Sequence, residues 1–415
     1  MRSLRLGFIP LSDCAILVVA QEKNFFRRHG LDVTLSREAS WANIRDKMAV
    51  GALDGAQMLA GMPIAAAVGI ESVAQPLVTA FSLGLNGSAI TVSTALWARM
   101  IDAAPHLSAT VALRRVIDED QQRGRPPLRF AMVYPFSTHN YALRYWLAAA
   151  GIDPDADVQL TVVPPPRMVE ALESRAIDGF CVGEPWNSLA VQTGLGQIVA
   201  TTYEIWNNGP EKVLAVGRGF AEQQPATHQA LLQALIEAAV WADAAENRPE
   251  LAHMLAAARY LGAPPALLAA SLTGRVTLRT GDAPALIPDF HVFHRYAANF
   301  PWTSHAVWLL TQMLRWGQLT APVDMLATAR RVYRPDLYRA AARALGILTP
   351  ETDLKSEGVH SAAWTIDTSA GTIPMGSDHF FDGREFHPAG AVPYLASSGV
   401  GAPRVSLAAL ATLNA

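Results

Sequence analysis

Apolar and polar residues alternate with period two over Leu4-Arg5-Leu6-Gly7-Phe8-Ile9, which predicts a strand ended by Pro10. Ser12 then opens a stretch of helical spacing, Ala15 to Arg28, closed by Gly30 and followed by the alternating strand Leu31 to Leu35. A helix from Trp41 to Gly51, the turn Leu53-Asp54-Gly55, a short apolar strand from Ala56 to Leu59, Gly61 and a helix-opening Pro63 complete the unit. The same order returns later in the chain. It runs from the strand Leu128 to Val133 through Pro135, Ser137, a helix Asn140 to Ala150 and Gly151 to the strand Val158 to Val163. It ends with the helix Met168 to Arg175, Ile177-Asp178-Gly179, the strand Phe180 to Val182, Gly183 and Pro185-Trp186. Nearly constant offsets between these landmarks show one β-α-β-α-β plan used twice, so the chain reads as an α/β protein of two lobes. Ser12 and Ser137 each read as the N-cap of the helix that follows. The free N–H groups of such a helix face the carboxyl ends of the strands, where open α/β sheets bind ligands. Two such ends facing each other make an anion cleft.

Between the copies, Val73 to Ala98 carries no charge but holds Gln75, Pro76, Asn86, Gly87 and several threonines, poor material for a bilayer span. It reads as two buried strands joined at Asn86-Gly87. Ala103 to Pro127 reads as a surface helix and a charged loop. Beyond Pro210 the pattern turns helical, over Ala226 to Glu246, Pro249 to Leu261, Pro265 to Leu272, Ser304 to Trp316 and Pro335 to Leu345. After about Thr349 the helical period is gone. Trp364, Phe380, Phe381, Phe386 and Tyr394 there predict an irregular segment packed across a lobe. The expected division is residues 1–92 for the first part of lobe one, 93–127 for the connection and 128–210 for lobe two. Residues 211–348 complete lobe one and add helices, and 349–415 pack on the lobes.

Composition narrows the function. Of 415 residues 51% are hydrophobic and 17% charged, enough for more than one core. The charge balance of 33 Lys plus Arg against 36 Asp plus Glu excludes nucleic-acid binding by bulk charge. Cys14 and Cys181 match no metal or redox spacing and read as small buried residues. GxSxG, HExxH, P-loop and GxGxxG patterns are absent, so the expectation is a binding protein, not an enzyme, with no cofactor or metal. The start of the chain shows no export signal, which leads to the expectation of a cytoplasmic protein without membrane insertion.

The runs Gly7 to Ala15, Glu38-Ala39-Ser40-Trp41, Asp54 to Leu59, Thr138 to Leu147, Val163-Pro164-Pro165-Pro166, Asp178 to Asn187 and Phe381 to Phe386 resemble the nitrate/bicarbonate solute-binding proteins of ABC transporters. The resemblance implies a two-lobed, periplasmic-binding-protein-like C-clamp of type II with its ligand cleft between the lobes. It also implies the ligand contacts: Trp41 lines the site, His139 and the Gly183 backbone donate, and Lys212 is the lysine that separates nitrate from bicarbonate binders. Ser88 stands where nitrate binders carry glutamine. Nitrate has acceptors only, so donors from several directions and about one positive charge suit it. Taken singly, Trp41 reads as a core aromatic, His139 as a helix cap, Gly183 as a turn residue and Lys212 as a solvated lysine. Trp41 and Ser88 on one lobe are expected to face His139 and Gly183 on the other.

With no export signal, the resemblance points first to the family's cytoplasmic branch, nitrate/nitrite sensors of the NasS type. These hold an ANTAR-type RNA-binding antiterminator (NasT-like) and release it when ligand binds. The alternative is the solute-binding component of a nitrate or oxyanion ABC importer. A third reading, an enzyme on this scaffold like the pyrimidine-synthesis relatives, asks for clustered histidines or a reactive cysteine, and only Cys14 and His139 lie near the expected cleft mouth.

Overall fold

The computed structural model describes residues 1–71 and 76–414, so the beginning of the stretch Val73 to Ala98 lies outside the described residues. Two five-stranded mixed sheets carry the two lobes. In spatial order the first holds Leu31–Arg37, Arg2–Phe8, Gly55–Leu59, Lys212–Gly217 and Leu77–Ser82. The second holds Gly196–Thr201, Ser88–Ser93, Gly179–Gly183, Arg129–Met132 and Gln159–Val162. The repeat is visible in the pairing. Arg2–Phe8 runs parallel to both strands beside it, with Leu4 opposite Val33 and Leu6 opposite Gly55. Arg129–Met132 does the same, with Phe130 opposite Leu160 and Gly179.

Each sheet also takes one antiparallel strand from the other half of the chain. Ser88–Ser93 pairs with Gly179–Gly183, Ser88 opposite Gly183. Lys212–Gly217 pairs with Gly55–Leu59, Lys212 opposite Leu59. The chain therefore enters the second sheet before Ser88, not after residue 92, and Ser88 belongs to the second lobe and not to the lobe of Trp41. The two strands expected on either side of Asn86-Gly87 lie in different sheets. The strand Lys212–Gly217 lies in a stretch to which the sequence reading assigned no element, although Val213-Leu214-Ala215-Val216 is the continuous apolar run of a strand buried on both faces. The two crossing segments lie side by side: Asn86 N–H donates to the Gly209 carbonyl (3.1 Å), and Asn86 Nδ2 to Asn208 Oδ1 (3.1 Å). Both asparagines take the left-handed backbone, φ 61° and 57°, which asparagine tolerates better than most residues.

Capping separates the two serines. Ser137 Oγ accepts from Asn140 N–H at 3.0 Å and caps the helix Thr138–Ala148. Ser12 caps nothing. It opens a 3-10 turn, Ser12–Cys14, its buried Oγ has no protein partner among the described residues, and its N–H donates to the Glu184 carbonyl of the other lobe (2.8 Å). The predicted helix Ala15 to Arg28 is broken at Asn24 (φ 60°) into Ala15–Glu22 and Phe25–Arg28.

One apolar core joins the second sheet, the face of the first that the helices Trp41–Ala49 and Met62–Ala67 cover, and the helix Thr303–Arg315. Another packs the outer side of the first sheet against the helix Pro225–Asp243. The C-terminal segment forms a hairpin, Trp364–Thr368 with Gly371–Met375, and then short helices. It touches both lobes. Ile373 and Met375 enter the core behind the first sheet, Phe380 stacks on Trp206 with ring centres 4.7 Å apart, and Tyr145 Oη donates to Asp382 (2.8 Å).

Candidate functional site

The site lies where the two crossing strands begin. Lys212 opens one and Ser88 the other, and both side chains are fully buried between the lobes. From the first lobe come Asp13, in the turn after strand Arg2–Phe8, Gln57 on the strand Gly55–Leu59, and Trp41, the first residue of the helix that Ser40 caps. From the second come Thr138 and His139, at the start of the helix that Ser137 caps, and Gly183, the last residue of its strand.

Lys212 Nζ is the centre of the cluster. It lies 2.8 Å from Asp13 Oδ2, 2.7 Å from Glu211 Oε1 and 3.5 Å from His139 Nε2. Ser88 Oγ lies 3.1 Å from His139 Nε2 and donates to Glu211 Oε2 at 2.8 Å. Thr138 Oγ1 donates to Glu211 Oε1, and Gln57 Nε2 to Asp13 Oδ1. The Trp41 ring centre is 5.7 Å from Lys212 Nζ, and its buried Nε1–H has no partner among the described residues. Gly183 borders the same space. A Cβ there would lie 3.5 Å from Asp13 Oδ2 and 3.6 Å from Ser88 Oγ, so any longer side chain would fill the site. The structure thus brings Trp41, Ser88, His139, Gly183 and Lys212 together.

Asp13, Thr138 and Glu211 join the cluster beyond the residues that the sequence singles out, which are donors for an anion. Asp13 had a signal, since it follows Ser12 as Thr138 follows Ser137 at corresponding places in the repeat. The sequence also assigned Lys212 as the compensating charge for a ligand, whereas here two carboxylates already share it.

Burial sets the protonation states. It pushes His139 down to about 3, with Lys212 adding to the effect, so the ring is neutral. Burial also raises Asp13, and the Glu211 charge adds to that rise. For Glu211 burial is outweighed by the Lys212 charge and by the hydrogen bonds from Lys212 and Thr138, which hold its carboxyl below the usual carboxylate range. Lys212 stays charged because its two carboxylate neighbours overcome its burial. Cys14 and Cys181 are buried thiols pushed far up by desolvation, neutral and unreactive. Glu184 meets no ligand-facing group: it holds a turn, Oε2 accepting from Ser188 N–H (3.2 Å), and burial raises it to about 7.

The lobes meet closely around this cluster. Gly61 lies against the Phe136 carbonyl of the other lobe, where an added Cβ would overlap the oxygen. At the rim, Tyr134 Oη donates to Glu71 (2.6 Å) and accepts from Arg45 Nη1 (3.1 Å). No helix among the described residues is long and apolar enough to cross a membrane.

A family model described as the NMT1-like family matches residues 1–256. The chain is 42% identical over 346 residues to "Nitrate import ATP-binding protein NrtC" of Synechocystis sp., covering 83% of this chain and 50% of that protein. It is 40% identical over 347 residues to "Bicarbonate transport ATP-binding protein CmpC" of Synechococcus elongatus, with the same coverage. The chain thus spans about half the length of these curated relatives. Among solved structures, the periplasmic nitrate-binding protein NrtA from Synechocystis PCC 6803 superposes with a TM-score of 0.84 at 30% identity, covering 96% of this chain and 99% of that one. This agreement shows the two-lobed periplasmic-binding-protein-like fold that the repeat and the resemblance predict.

Proposed function

Since this chain belongs to the NMT1-like family and is close to the nitrate-binding proteins, we propose that it binds one small monovalent oxyanion, nitrate or nitrite, between its lobes as the solute-binding unit of an ABC importer. One observation carries the reading: Ser88 Oγ and Lys212 Nζ lie 3.1 Å and 3.5 Å from His139 Nε2, beside Trp41, whose Nε1–H has no partner among the described residues. Donors drawn from both lobes suit an ion that offers only acceptors, and binding there favours the closed lobes. Lys212, expected from the resemblance to mark a nitrate binder, supports nitrate over bicarbonate.

The ATP-binding import proteins among its relatives support an importer ATPase as the partner, and so place the importer reading ahead of the antiterminator-controlling sensor. The buried thiols Cys14 and Cys181 are held neutral, so neither is an activated nucleophile, which supports binding without turnover. A ligand that binds only the folded state raises its melting temperature. Nitrate or nitrite at millimolar concentration is expected to raise Tm by several degrees, and phosphate and sulfonates to leave it unchanged. If neither nitrate nor nitrite shifts Tm, the reading is wrong.

A further inference from the structure

The buried cluster holds more negative charge than an anion site needs. Glu211 takes the hydrogen of Ser88 Oγ, that of Thr138 Oγ1 and one from Lys212, and its Oε2 lies 3.5 Å from His139 Nε2. These are the donors on which the oxyanion reading rests, so Glu211 is already the anion of this site. Asp13 claims the other side of Lys212. Among the described residues, the charged and titratable groups facing this pair are Lys212 itself, His139 from the helix of the second lobe, Cys14 beside Asp13, Cys181 on the strand of Gly183, and His291, whose ring packs on Gly87. The two histidines and two thiols are neutral. One cation therefore faces two carboxylates, and a nitrate added to them would stand as a third negative charge out of water, a very costly arrangement. Nor does Glu211 find a charged refuge by turning away. The space beside it is a cavity of about 40 Å³ walled by Ile205, Trp206, Trp308 and Phe380, with Asn86, Thr138 and Thr202 as polar neighbours and no cation among its lining residues. A carboxylic acid needs no cation there, whereas a carboxylate would leave its partner Lys212 behind.

We propose that the buried Asp13–Glu211 pair takes up one proton from solvent for each monovalent oxyanion bound, so that Glu211 releases Ser88, His139 and Lys212 to the ligand as a neutral acid. The proposal rests on the oxyanion reading and adds to it a proton-linked specificity device. Balance is simple: one anion and one proton enter together, and the net charge of the cluster is unchanged. By linkage, binding then weakens as pH rises.

The test is calorimetric titration of sodium nitrate into the full chain in two buffers of different ionisation enthalpy, repeated at pH 6, 7 and 8. The expected result is uptake of about one proton per nitrate and a Kd that rises about tenfold per pH unit. In Glu211→Gln the uptake is expected to vanish, Kd to become flat with pH, and binding at pH 8 to be at least about tenfold tighter than in the parent. Asp13→Asn provides the second variant, and the parent's own pH series stands if neither variant folds. Nitrate bound by the parent without proton uptake would overturn the proposal and leave the oxyanion reading intact. Uptake unchanged in Glu211→Gln would overturn the assignment to the carboxylate pair. No nitrate binding by parent or variant at any pH would overturn both readings.

Discussion

Lys212 is the residue on which the site balances. Its ammonium is buried within 2.8 Å of two carboxylates, and breaking such a cluster from the cationic side leaves like charges unpaired out of water. Lys212→Met is therefore expected to destabilise the protein by about 3–5 kcal/mol, and Lys212→Met combined with Glu211→Gln by clearly less, as measured by urea denaturation. Equal losses in the single and double variants would show that Glu211 does not depend on Lys212. The sequence pointed to Lys212 through its family likeness but gave no sign of Glu211. Adjacent residues on a strand point to opposite faces, so neighbours in sequence are not expected to join in an ion pair. They do so here because Glu211 precedes the strand, in the crossing segment, where the backbone has not yet taken up the pleat.

At the scale of elements, the twofold β-α-β-α-β plan was legible because each copy repeats its local signals: a strand, a proline, a serine and a glycine-closed helix. The exchange of strands between the sheets was not legible. Ser88–Ser93 and Lys212–Gly217 are ordinary apolar runs, and only pairing across the chain assigns each to its sheet. The two serines show the same limit: Ser137 caps its helix as read, while the backbone of Ser12 is held by Glu184 across the cleft. Gly61 marks how tightly the elements close. Its φ of −79° suits any residue, so the obstacle to Gly61→Ala is the Phe136 carbonyl, with the flexible Met313 methyl as a lesser neighbour. The variant is expected to hold the lobes apart, with a stability loss of about 1–3 kcal/mol and nitrate binding weakened at least tenfold by calorimetry. Unchanged affinity would mean that binding does not need this contact.

Across the whole molecule, burial of neutral histidines sets the response to acid. His139 and His291 are pushed down to about 3 and His228 to about 4, in each case chiefly by burial. Below the unfolded value of about 6.5 the unfolded chain binds protons that the folded chain refuses, so stability falls with falling pH. Each histidine contributes a loss of roughly 1.4 kcal/mol per pH unit in that window. Glu184, raised to about 7, acts in the opposite sense between about 4.5 and 7, where its stabilising share is lost as pH rises. The lowered histidines, with His305 shifted the same way, outweigh Glu184 and the raised Asp13, and Tm is expected to be lower at pH 5 than at pH 7. A higher Tm at pH 5 would contradict the neutral burial of these rings. The lobes, their shared cleft and the strap of the C-terminal segment over Trp206 then serve one central claim, that the cluster between the lobes is an oxyanion site. Its most direct test is a crystal structure of the protein grown in nitrate. A planar anion is expected beside Trp41 within hydrogen-bond distance of Ser88 Oγ, His139 Nε2 and Lys212 Nζ, with Glu211 withdrawn from them; nitrate bound elsewhere, or Glu211 still holding those donors at saturating nitrate, would contradict the oxyanion site.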